Sequence, residues 1–90
     1  MGHPPKEREV VLPTVHLNGT SGDVLLNQRI DYRRALREAL KKLREASPHP
    51  RDFPDATDRF QRALDVHHSR VRVLEALIRD ITIELEAFTS

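Results

Sequence analysis

The sequence predicts an all-α protein, a two-helix antiparallel hairpin with an extended N-terminal arm that assembles with copies of itself into a homo-oligomeric helical bundle. Three observations lead there. A seam of apolar side chains with one histidine recurs at alternating steps of four and three from Phe60 through Leu64, His67, Val71, Leu74, Ile78, Ile81 and Leu85 to Phe88, the spacing that holds one helix face against a neighbour. A second amphipathic stretch precedes it, separated by Ser47-Pro48-His49-Pro50, where two prolines forbid helix continuation. The chain has 90 residues with no Cys and no Trp, so neither disulfides nor a large aromatic core can compensate for the limited burial available at this size. Self-association is the remaining route to stability.

Taken in order, residues 1–9 carry two prolines and four charges without apolar periodicity, and read as a mobile tail. Residues 10–90 form the single domain. The run Val10-Val11-Leu12-Pro13-Thr14-Val15-His16-Leu17 is apolar and β-branched, but Pro13 cannot donate to a ladder. Extended packing along a helix is the expected outcome. Asn18-Gly19-Thr20-Ser21-Gly22-Asp23 combines turn formers with a Thr-x-x-Asp capping pattern. The first helix is expected from about Ser21 to Ala46, with Leu25, Leu36, Leu40 and Leu43 on one face and Leu26 and Tyr32 at its edges. Arg29 and Arg33 interrupt that stripe.

The second helix is expected to start near Pro54 or Asp55, with proline at a first-turn position and Asp55, Thr57 and Asp58 supplying caps, and to run almost to the C-terminus. It overhangs the first. Val73, Leu77 and Ile83 add apolar surface beside its seam, more than one antiparallel neighbour covers.

Fifteen Lys and Arg against fourteen Asp and Glu give a formal net charge of +1, without the positive bias of a general nucleic-acid binder. Any anion site must be local. No apolar run approaches the roughly 20 residues of a membrane span, and Met1-Gly2-His3-Pro4-Pro5 lacks the apolar core of a signal peptide. No membrane partner is expected, and the expected location is a cytoplasm.

Several residues carry candidate chemistry. Glycines and unpaired helix N–H groups around Asn18, Gly19, Thr20 and Ser21 suit an anion, although the same residues start many ordinary helices. Arg29 and Arg33 follow in the apolar stripe, either snorkelling to water or completing a phosphate site. His67 occupies a seam position, where it either sets register or joins a site, with Arg70 three residues on. Arg51-Asp52-Phe53 places a charged pair and an aromatic in the inter-helix loop, the aromatic able to fold back over the hairpin end. Five histidines show no His-x-x-x-His or Glu-x-x-His pair, so no metal is expected. No nucleophile sits in a recognisable turn and no carboxylate pair is spaced as acid and base. A non-enzyme without cofactor is the expectation.

Pro13-Thr14-Val15-His16-Leu17-Asn18-Gly19-Thr20-Ser21, then Arg51-Asp52-Phe53, then His67 and Arg70, together resemble a family of small, mostly uncharacterised bacteriophage proteins. That family has a Pro-Thr-aliphatic-His-aliphatic-Asn-Gly-Thr-Ser arm, an Arg-Asp-aromatic loop between two helices, and a His and an Arg three residues apart on the second. The likeness spans residues 13 to about 77. The loop departs from the pattern, with Pro50 and Phe53-Pro54 where the family has Asn and two tyrosines. The resemblance implies a phage protein acting in the cytoplasm of an infected bacterial host. Phages encode compact oligomers that sequester nucleotide signals of bacterial immunity, so the functional expectation is a non-enzymatic sponge for a phosphate-containing small molecule. His16, Asn18, Gly19, Thr20, Ser21, Arg29, Arg33, Arg51, Phe53, His67 and Arg70 are its expected ligand contacts. The rival expectation is a structural or protein-interaction module of the phage acting through its helical oligomer.

Overall fold

The computed structural model of the chain describes Val11 and residues 22–89. Within them lie helix α1 (Gly22–Glu45), a 3-10 turn (Pro50–Asp52) and helix α2 (Thr57–Thr89), and no strand. The expected tail and arm fall outside the described residues apart from Val11, whose side chain is exposed.

Helix α1 is rich in Leu, Arg, Ala and Glu, which lose little rotamer freedom in a helix, and Asp23 at its start and Lys42 and Arg44 in its last turn complement its dipole. It closes where the amides of Ala46 and Ser47 donate to the carbonyls of Lys42, Leu43 and Arg44, just before Pro48 ends the ladder. The linker is ordered locally. The His49 amide donates to Asp52 Oδ2 at 3.3 Å, and the amides of Asp52 and Phe53 donate back to the carbonyls of His49 and Pro50. Helix α2 begins two to three residues later than its sequence suggests. Pro54 and Asp55 belong to a turn closed by the Ala56 amide on the Phe53 carbonyl, and the Phe60 amide makes the first helical bond to Ala56.

Arg29 pairs with Glu84, and Arg44 with Glu75. Positions therefore run in opposite directions along the two helices, giving a helical hairpin. Leu36, Ile81 and Leu85 form its buried centre, with Leu26, Ile30, Leu74, Leu77 and Ile78 packed around them. Burying each such side chain contributes about 1.5–3 kcal/mol. Tyr32, expected at the edge of the stripe, is 45% exposed, and Ile30 on the opposite edge packs on the core instead. No side chain among the described residues falls below 2% exposure. Two helices shield one another from one side only, which leaves the core thin.

At 33 and 24 residues, α2 and α1 span about 50 and 36 Å at ~1.5 Å per residue. The Arg44–Glu75 pair sets the register, so the first turns of α2 extend past the end of α1. The linker folds back over them. Phe53 lies 6.1 Å from the Phe60 ring and takes the Arg59 guanidinium 5.9 Å above its face. Val66, Val73 and Ile83 remain about half exposed on α2. No helix among the described residues is long and apolar enough to cross a membrane.

Candidate ligand-binding concavity

Where α1 stops and the linker turns back, a concavity of about 460 Å³ opens against the first turns of α2. Its apolar floor comes from Leu43 and Ala46 of α1, Pro48 of the linker, and Ala63 and Val66 of α2. Phe53, Arg59, Arg62, His67 and Arg70 complete the wall. On α2, Arg59, Ala63, Val66 and Arg70 follow steps of four, three and four, so their side chains share one row. Arg62 stands on the next row, at the outer rim. A volume of this size suits a small molecule.

The charge is one-sided. No Asp or Glu lines the concavity, and Arg59, Arg62 and Arg70 have no ion-pair partner among the described residues. Elsewhere among the described residues Arg29, Arg34, Lys42 and Arg44 each meet a carboxylate, while Arg33, Arg37, Lys41, Arg51, Arg72 and Arg79 do not, so what sets the concavity apart is a wall without acids. His67 is the one buried polar side chain among the described residues, at 7% exposure. Its ring contacts that of His68 at 6.0 Å, and its imidazole finds no hydrogen-bond partner among the described residues. An imidazole always has at least one N–H to donate, so the wall offers His67 and Arg70 at one end and Arg59 with the Phe53 face at the other, about 16 Å apart along α2.

The structure divides the residues expected from sequence. Phe53, His67 and Arg70 come together here. Arg51 lies exposed on the 3-10 turn and does not line the concavity. His16, Asn18, Gly19, Thr20 and Ser21 lie outside the described residues. Arg29 and Arg33 sit toward the other end of the hairpin. Neither lines the concavity, and both lie farther along α1 from it, about 15 and 21 Å from Leu43.

Those two arginines also neither snorkel freely nor converge on open space. Arg29 Nε donates to Glu84 Oε1 at 2.7 Å, a further guanidinium N–H donates to the Leu25 carbonyl at 3.1 Å, and the group lies 5.7 Å over the Phe88 ring. Arg33 donates to Thr82 Oγ1 at 3.4 Å, and that hydroxyl donates to the Ile78 carbonyl at 2.7 Å. The shallow recess beside Arg33 is also lined by Glu86, which opposes an anion there. Sequence reasoning missed Arg59 and Arg62, because arginines in the first turns of a charged helix look like solvated surface. Their signal was the spacing of Arg59 to Ala63, Val66 and Arg70. Among the described residues no group of three or more His, Cys, Asp or Glu side chains is placed to hold a metal ion.

Compared with protein-family models, curated proteins and solved structures, the chain matches none of them.

Proposed function

We propose that this protein binds a small phosphate-bearing molecule of the nucleotide type at the closed end of its hairpin, sequestering it without chemical change. One observation carries the reading: three arginines without ion-pair partners among the described residues and the largely buried His67 border a single acid-free concavity beside an aromatic ring. All three arginines are exposed, so their guanidinium groups are open to an incoming anion. Guanidinium groups bind phosphate oxygens in bidentate fashion, and Phe53 offers a face on which a base can stack. Arg29 and Arg33 then act as structural residues. With the phage-family resemblance, the ligand class is an immune nucleotide signal and the place of action the host cytoplasm, with the binder working as a homo-oligomer.

The test is calorimetry and thermal shift against cyclic dinucleotides, cyclic trinucleotides and ADP-ribose derivatives, with wild type, Arg70→Met and Arg33→Met compared. Arg70→Met is expected to lose about 1.5–3 kcal/mol of affinity, or roughly 10- to 150-fold, with its fold intact. Arg33→Met is expected to bind as wild type does. A wild-type chain that responds to no member of the panel would overturn the proposal. The half-exposed aliphatics Val66, Val73 and Ile83 on α2 favour the second reading, a protein-interaction module working through its helical oligomer.

A further inference from the structure

Helix α2 carries a second heptad seam on its outer face. Arg62, Val66, Ser69, Val73, Ala76 and Asp80 follow steps of four, three, four, three and four, as regular as the inner seam that packs on α1. Val66 and Val73 are 48% and 57% exposed, and a groove of about 620 Å³ runs past Ser69, Val73, Ala76 and Asp80. Small residues alternate with valines, so another helix can approach closely. The seam is also self-complementary. Arg62 and Asp80 lie equally far from position 71. A two-fold axis there, with helices antiparallel, sets Arg62 against Asp80 of a second copy and Asp80 against its Arg62, Val66 against Ala76, and Ser69 against Val73. Neither Arg62 nor Asp80 has an ion-pair partner among the described residues. A parallel pairing would instead stack Asp80 on Asp80 and Arg62 on Arg62.

We propose that the outer face of α2 is an antiparallel homodimer interface in which Arg62 of each chain pairs with Asp80 of the other. The symmetric interface repeats each contact twice, so a single charge reversal acts at two places. Arg62 also lines the concavity, so in the dimer it pairs with Asp80 and leaves Arg59 and Arg70 to the ligand; the test needs no ligand.

Sedimentation equilibrium of the full chain, with helicity followed by circular dichroism, provides the test. The wild type is expected to sediment at twice the 10.4 kDa chain mass. Asp80→Arg and Arg62→Asp are each expected to weaken the dimer about tenfold or more, through two lost pairs and two new like-charge contacts. The double exchange Arg62→Asp/Asp80→Arg is expected to restore it, and Val73→Glu to abolish it while leaving helicity unchanged, since Val73 is open to solvent within the hairpin. A wild-type monomer at high concentration, a dimer indifferent to Val73→Glu, or a double exchange no tighter than either single reversal would each overturn the proposal.

Discussion

Replacing Arg29 with Met separates a structural arginine from a ligand-binding one. The wild-type guanidinium donates to Glu84 and to the Leu25 carbonyl and lies over Phe88, with side-chain exposures of 23% for Arg29 and 18% for Glu84. Breaking a fully buried pair by removing one partner costs about 3–5 kcal/mol, and an exposed pair is worth at most about 1 kcal/mol. With a fifth of each side chain in contact with water, a loss of roughly 1.5–2.5 kcal/mol lies between those limits. Most of it reflects a Glu84 carboxylate left without its counter-charge. Methionine keeps the apolar stem that covers the core, so Arg29→Met/Glu84→Met is expected to recover most of the loss. The cycle closed with Glu84→Met then reports a coupling of about 1–2 kcal/mol. Urea denaturation followed by circular dichroism at one fixed chain concentration measures all four proteins, and the single variant is expected to melt roughly 6–15 °C lower. Ligand affinity should not change. An Arg29→Met protein as stable as wild type, with no coupling to Glu84, would refute the assignment, as would an intact fold that had lost its ligand.

Ile81, 4% exposed and packed with Leu36 and Leu85, should not tolerate a charge. Ile81→Asp is expected to unfold the chain, and Ile81→Ala to cost about 2–5 kcal/mol, whereas Ile83→Ala, at a half-exposed position, should stay within about 0.5 kcal/mol of wild type in the same urea titration. Phe53→Ala removes the contacts with Phe60 and Arg59 and is expected to lower stability by about 1–2 kcal/mol. The same change should weaken any base-bearing ligand more than inorganic phosphate, and calorimetry that finds both weakened equally would remove stacking from the account.

The sequence by itself determined the helices and their inner faces, because a 3.5-residue apolar repeat and a pair of prolines act through local geometry that needs no partner to be visible. From His67 to Phe88 the repeat marks the face of α2 that meets α1, with Phe60 beyond the end of α1 against Phe53, and Pro48 and Pro50 mark the break between helices. The same wheel placed Arg29 and Arg33 inside the apolar stripe, but their counterparts Glu84 and Thr82 lie 55 and 49 residues away. Only tertiary structure decided that these two arginines bind α2 rather than open space. It also decided that Arg59 and Arg62, unremarkable as sequence, stand without carboxylates beside Phe53, His67 and Arg70. Charge pairing depends on which side chains the register brings opposite one another. A hairpin's register is set by its whole packed interface, so no short window of residues contains it.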